Sequence, residues 1–436
     1  MNKGSTLIYF ANFLSDLAVD LDEGEVLAQW AQQAPRKAWL LWPGDVLVSP
    51  VPLGKEFLEY VAGLTGIPTE SVTVIAVPPG DAVPLAQAVR QAGLTDRLRA
   101  LAGEPGAALL PTALDASVIG FARDLGLTVH PYPTVDDAAA ALKMTMLLNT
   151  KAGFREVAER LGMRLPAGQV CRCPDVDGVV REFLGQYERV VIKPDRSAGG
   201  HGMRFVARGD LEGGAALELD VIGGPAGTWV VEERVDVAAS VSIQLETTTS
   251  VTQVLFSGAM HTAQGSFTGY VSPLPPSCAH VAGELEEWGL QLGRHLADHG
   301  YAGPFGVDAL VSTDGAAYAD ESNIRRTATT TPHMMVTRLT AGSAVNRPAW
   351  SVSKGYTRRP FNFEQALARL REHRLAFDPT RGEGVILYAD APSDGRSWRY
   401  AVISADADGV GECDDRLSQA MEFESTCPDA CASPRQ

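Results

Sequence analysis

Residues 306–323 read Gly-Val-Asp-Ala-Leu-Val-Ser-Thr-Asp-Gly-Ala-Ala-Tyr-Ala-Asp-Glu-Ser-Asn, and this stretch limits the fold more than any other. Asp314-Gly315 between alternating apolar residues is a strong two-residue hairpin turn signal. Folding there sets Thr313 against Ala316, Val311 against Tyr318, Leu310 against Ala319 and Asp308 against Glu321. Asn323, two residues on, shares the face of Glu321. Like charges directly opposite on paired strands are destabilising. A hard dication removes that objection, because magnesium takes carboxylate oxygens and leaves other positions for phosphate. From the geometry alone, metal binding and a solvated hairpin end are equal alternatives. Arg325 continues the alternation with Arg326 beside it, and a cation next to such a cluster suits an anionic transition state.

A second segment points to phosphate. Residues 190–193, Val-Val-Ile-Lys, read as a buried strand ending in Lys193, followed by Gly199, Gly200, His201 and Gly202. Glycines let backbone N–H groups approach a phosphate, and the lysine adds a point charge. The pattern is not a G-x-x-x-x-G-K-[ST] loop. Taken alone it reads more readily as an ordinary turn, and Lys151 alone reads as a helix-surface lysine.

The first 140 residues alternate apolar strands with helical patterns, which predicts a layered α/β domain with a parallel sheet. Strands are expected at residues 7–10, 38–41, 72–77, 107–110 and 127–129, with helical spacing over 24–34 and 82–92. Helices are expected over 135–149 and around 158–161, where Gly162 closes the segment. From residue 190 the texture turns to β-hairpins, with a helix near 363–373 and strands at 384–388 and 399–404 beyond them. Residues 257–272 read as a polar, glycine-containing loop. The division this implies is 1–143, 144–228, 229–340, an extension over 341–425 and a disordered tail over 426–436.

Composition narrows the partners. Lys plus Arg is 37 and Asp plus Glu is 53, a formal net charge of −16. Such a surface repels a phosphate backbone or an anionic membrane, while a pocket can still gather enough cations for a small polyanion. No stretch of about 18 apolar residues is present, so no membrane span is expected. The six cysteines form no C-x-x-C pair. Cys427 and Cys431 lack a second pair to complete a metal site, so reduced thiols in cytoplasm are the simplest expectation. The symmetry habits of soluble enzymes favour a homodimer.

Lys151, Lys193 with its glycine loop, the Glu232-Glu233 strand, Asp308, and Glu321 through Arg325 (Glu-Ser-Asn-Ile-Arg) resemble, in this order, the ATP-grasp family and its E-x-N-x-R signature. The resemblance spans about residues 149–333. It implies an N-terminal Rossmann-like (pre-ATP-grasp) domain, a two-lobed ATP-grasp fold and a C-terminal extension. It implies ATP and Mg2+ as cofactors and ligation of a carboxylate to an amine. Carried over, Lys151 and Lys193 would hold phosphates, and Gly199, Gly200, His201 and Gly202 would close over them. Glu232, Glu233 and Val235 would line the adenine pocket. Asp308, Glu321 and Asn323 would bind magnesium, and Arg325, with Lys193, would act on the transferring phosphoryl group. The family's ribose-binding acid has no counterpart in Asp236-Val237-Ala238-Ala239-Ser240, where Ser240 is the stand-in. Arg326 and His333 fall in the family's substrate-side loop, and Tyr270 and Ser266, with His261 and Gln264, are further substrate candidates. As a whole the chain resembles members that join a nonproteinogenic amino or guanidino acid to the N-terminus of a peptide. Another amino-acid ligase and a non-catalytic nucleotide-binding module are the rival readings. No G-x-S-x-G or H-E-x-x-H is present to support a hydrolase.

Overall fold

The computed structural model describes residues 6–13, 15, 31–77, 83–103, 106–197, 202–211, 227–263, 266–343, 345 and 347–424. Gly199, Gly200, His201, Gln264, Cys427, Cys431, the tail from 426 and most of the helix expected over 24–34 lie outside these residues, as does the side chain of Ser266.

Five short apolar strands build the N-terminal sheet: β1 (Leu7–Phe10), β2 (Val46–Ser49), β3 (Thr73–Ala76), β4 (Ala108–Pro111) and β5 (Thr128–Val129). All are parallel, in the order β3-β2-β1-β4-β5. Near-continuous apolar runs are what strands covered on both faces require. The strand order reverses between β1 and β4, and Asn12 bridges the two carboxyl ends through Nδ2 to the Ala113 carbonyl at 2.7 Å. Open α/β sheets bind ligands at such switch points.

The strand expected at 38–41 is not one. Residues Ala34–Leu40 form a 3₁₀ helix in which every residue is buried, with Pro35 in its first turn. A run this short cannot distinguish strand from buried helix by periodicity. Its Trp39 Nε1 donates to the Tyr388 carbonyl at 2.9 Å, far along the chain. Helix Val135–Leu148 starts at Thr134, whose side chain and Asp137 form a reciprocal capping box.

The next unit is a four-stranded antiparallel sheet, β6 (Gly168–Arg172), β7 (Arg189–Pro194), β8 (Arg204–Ala207) and β9 (Thr228–Glu233), in the order β6-β9-β7-β8. Helix Val176–Gln186 lays Val176, Val180 and Leu184 against Val190, Ile192 and Val231. Because β9 pairs between β6 and β7, the break between the lobes falls after Glu233, and not before residue 229 as the sequence suggested.

The third sheet has eight antiparallel strands, in the order β14-β13-β10-β11-β12-β15-β17-β16. They are β10 (Val237–Thr247), β11 (Thr252–Ala263), β12 (Ser266–Ser272), β13 (Gly303–Ser312), β14 (Ala317–Asn323), β15 (Ala349–Tyr356), β16 (Gly384–Leu387) and β17 (Ser397–Ser404). One expectation changes here. Residues 257–263 and 266–272 lie in paired strands, not a loop, and the fully buried Tyr270 sits among them. The strands of the C-terminal extension continue the same sheet, with β15 on β12.

The hairpin of β13 and β14 also differs in detail. Near the turn, Val311 faces Ala317 and Leu310 faces Tyr318, one residue away from the expected register. The loop therefore holds three residues, with Gly315 closing it at φ +88°. A bulge after Ala319 inserts Asp320 and restores the register, so that Asp308 does face Glu321 and Gly306 faces Asn323.

Candidate active site

The three units meet around a cavity of about 1020 Å³. Its lining includes Lys151, Lys193, Asp308, Glu321, Asn323 and Arg325. Each arrives on an element the sequence builds for its own reasons. Lys151 opens helix Lys151–Arg160, where Thr150 caps the helix by accepting from Gly153 N. Lys193 ends β7, and Asp308, Glu321 and Asn323 share one end of the bulged hairpin.

Lys193 is 5% exposed and lies between two acids, 2.5 Å from Asp320 Oδ1 and 2.7 Å from Glu232 Oε2. The second contact is an ion pair outside hydrogen-bond geometry, which leaves Glu232 Oε2 without a hydrogen bond. Burial alone would lower the ammonium's pKa, but Asp320 and Glu232 outweigh it and hold the group well above the ordinary lysine range. Glu232 is itself held by Arg155, whose Nη1 donates to Oε1 at 2.9 Å while Nη2 donates to the Pro166 carbonyl at 2.8 Å. Lys151 Nζ donates to Ser197 Oγ and to the Ser197 carbonyl, both at 3.1 Å, and stands 3.4 Å from Glu321 Oε2.

Asn323 Nδ2 donates to Asp308 Oδ2 at 2.9 Å. Burial raises Asp308 well above the usual carboxylate range, and the charges of Glu321 and Asp320 push the same way. Three acids gathered in a low-dielectric site favour a cation among them. Among the described residues, no group of three or more His, Cys, Asp or Glu side chains is arranged to hold a metal on its own. Asp308, Glu321 and Asn323 offer two carboxylates and an amide. That set fits a hard cation that completes its shell with phosphate oxygens.

Arg325 Nη1 donates to Asn149 Oδ1, which also accepts from Ile324 N at 3.1 Å. Burial lowers the Arg325 pKa, and Glu321 and Asp308 oppose that shift. Arg326 donates through Nη1 to the Pro111 carbonyl at 3.1 Å, tying the loop to the end of β4. Glu233, Val235, Ser240 and Tyr270 also line the cavity. The Glu233 carboxylate accepts from Ala167 N at 2.8 Å, and the Tyr270 hydroxyl donates to the Ser242 carbonyl at 3.3 Å. Gly202, the last residue of the glycine run, has φ +73°. His333 is elsewhere. It stacks on Phe256 with ring centroids 4.2 Å apart, outside the cavity lining.

The residues that sequence reasoning missed are those that hold others in place: Asp320, Arg155 and Asn149. Nothing in their local patterns marks them, because each acts across 70 or more positions of the chain.

The fold is that of the ATP-grasp proteins, with a pre-ATP-grasp domain ahead of the two lobes. The "Pre ATP-grasp domain" family matches residues 34–127, and the "PGM1 C-terminal domain" family matches residues 365–417. Among solved structures, N5-carboxyaminoimidazole ribonucleotide synthetase from Thermus thermophilus superposes with a TM-score of 0.57 at 15% identity, covering 97% of this chain and 99% of its own. Biotin carboxylase from Campylobacter jejuni, solved with a β,γ-ATP complex, gives 0.60 at 13% identity, covering 96% and 92%. The Staphylococcus aureus N5-carboxyaminoimidazole synthetase complexed with ADP gives 0.54 at 12%, covering 96% and 98%. No curated protein matches the chain in sequence.

Proposed function

We propose that this protein is an ATP-dependent carboxylate–amine ligase. The observation that carries the reading is the convergence of Lys151, Lys193, Asp308, Glu321, Asn323 and Arg325 on one cavity. Attack of a carboxylate on the γ-phosphate of ATP brings two anions together, so the barrier is largely electrostatic. Lys193 stands beside Asp320 and Glu232, and an ammonium with three protons can also offer one to a phosphate oxygen. Lys151 supplies a second point charge. Asp308, Glu321 and Asn323 would hold magnesium, which would offset the negative charge of the phosphates. Arg325, fixed by Asn149, steadies the phosphoryl group in transit, and a preorganised charge of this kind contributes a few kcal/mol in the transition state. The acyl phosphate then meets the amine nitrogen, which expels phosphate and leaves an amide. The resemblance of the whole chain to the peptide ligase of pheganomycin biosynthesis supports a finer reading. In that reading the acid is a nonproteinogenic amino or guanidino acid, the amine is a peptide N-terminus, and the setting is natural-product biosynthesis. The match of residues 365–417 to a C-terminal domain family supports a dedicated role for that region.

The test is incubation with magnesium, ATP and hydroxylamine against a panel of amino and guanidino acids. ADP together with an acid hydroxamate is the expected result. AMP with pyrophosphate would overturn the mechanism.

A further inference from the structure

One part of the cavity has a charge balance that ATP and magnesium do not explain. Arg36 from the 3₁₀ helix, Arg326 from the loop after β14 and Arg399 from β17 all line it. Arg36 is 2% exposed, and its Nε has no hydrogen-bond partner among the described residues. Its guanidinium stands 5.2 Å over the Phe13 ring, in hydrogen-bond reach of the Tyr388 side chain. Burial, joined by the charge of Arg399, lowers the Arg36 pKa to about 10, so Arg36 stays charged at neutral pH. Burial, with the charges of Arg36 and Arg326, lowers the Lys37 pKa well below the ordinary lysine value, and its Nζ donates to Thr331 Oγ1 at 3.1 Å. The lining carboxylates lie elsewhere, at Asp308, Asp320 and Glu321 or at Glu232, Glu233 and Asp236. Among the described residues, none of them pairs with these arginines, although Arg326 feels the charge of Glu246 from outside the lining. A buried cation without a counter-charge is costly, and a guanidinium with free N–H groups is shaped for a carboxylate fork.

We propose that Arg36, Arg326 and Arg399 bind a carboxylate that the reaction does not consume, carried by one of the two substrates. The inference rests on the ligase reading and gives it a substrate class. Either the acid is a dicarboxylic acid, or the amine is an amino acid or short peptide with a free C-terminus. A guanidino side chain would be repelled here and would have to point elsewhere.

Paired substrates test this. In one arm, hydroxylamine is the amine, and aspartate and glutamate are compared with asparagine and glutamine as acids. In the other, dipeptides with free C-termini are compared with their C-terminal amides as amines. One arm is expected to prefer the anionic member about tenfold or more, through KM. Arg399→Ala, and independently Arg36→Gln, should erase most of that preference while leaving the KM for ATP within about twofold. Equal use of both members in both arms by the natural protein, or a preference that survives Arg399→Ala, would overturn the proposal. Absence of ATP turnover with every acid would instead count against the ligase reading. The same pairs, titrated by calorimetry into the natural protein and Arg399→Ala, then decide the carboxylate site by binding alone. Anion-selective binding lost in the variant upholds it, and unselective binding overturns it.

Discussion

Single side chains carry the chemistry, and each has its own signature. Glu321→Gln and Asn323→Ala should lower magnesium-dependent turnover at least a hundredfold, with melting temperature nearly unchanged. Full activity in either variant would remove that residue from the metal set. Arg325→Ala should lower kcat with little change in the KM for ATP if, as proposed, its charge acts on the group in transit. A pure KM effect would make it a ground-state clamp. His333 belongs to stability instead. Burial against Phe256 lowers its pKa to about 4, below the ordinary value of 6.5. Between those values the unfolded chain binds a proton that the folded chain does not, so stability falls as pH drops from about 6.5 to about 4 and levels off below. The limit is roughly 3 kcal/mol for the shift. His333→Phe should flatten that part of the pH–stability curve, as followed by urea unfolding at pH 5 and pH 7. An unchanged slope would contradict the assignment. Lys193, Asp308, Glu321 and Arg325 were legible in the sequence because strand ends and alternation place them. Arg36 and Arg399 were not, because only tertiary packing brings a 3₁₀ helix and a strand more than 350 residues later to one cavity.

Among the elements, the bulged hairpin matters most. The expected facing of Asp308 and Glu321 was reached through a register that is wrong near the turn. A three-residue loop shifts the ladder by one, and the bulge at Asp320 shifts it back. Bulges recur beside active sites because they re-aim a side chain. Here the inserted residue reaches Lys193 on the other lobe. Asp320→Ala should therefore leave Lys193 held by Glu232 alone and raise the KM for ATP about tenfold, roughly 1.4 kcal/mol. A KM within twofold of the natural protein's would show that Asp320 does not position the lysine. The misreading at 38–41 has a related cause: an apolar run of four residues contains no period, and its neighbours decide its form.

At the scale of the molecule, the C-terminal strands close the architecture. Beta strands 15 to 17 extend the central sheet, and Trp398, Phe363 and Phe377 share one core with Trp39 and Phe57 from the N-terminal domain. A chain ending at residue 340 would expose that core and β12's free edge, so it should fail to fold. Circular dichroism and proteolysis check this, and a cooperative, protease-resistant fragment would contradict it. The sequence located β16 and β17 but neither β15 nor the sheet they join, since pairing partners more than 75 residues apart leave no mark in local patterning. The parallel N-terminal sheet was legible through β1, β3, β4 and β5, which are short apolar runs, while β2 at Val46–Ser49 was missed and its place given to 38–41.

Attack of a carboxylate oxygen on the γ-phosphate of ATP would leave an isotopic trace. An acid substrate labelled with ¹⁸O in its carboxylate tests it, with released phosphate and nucleotide analysed by mass spectrometry. One ¹⁸O is expected in each inorganic phosphate and none in ADP. Unlabelled phosphate, or label found in AMP, would contradict it.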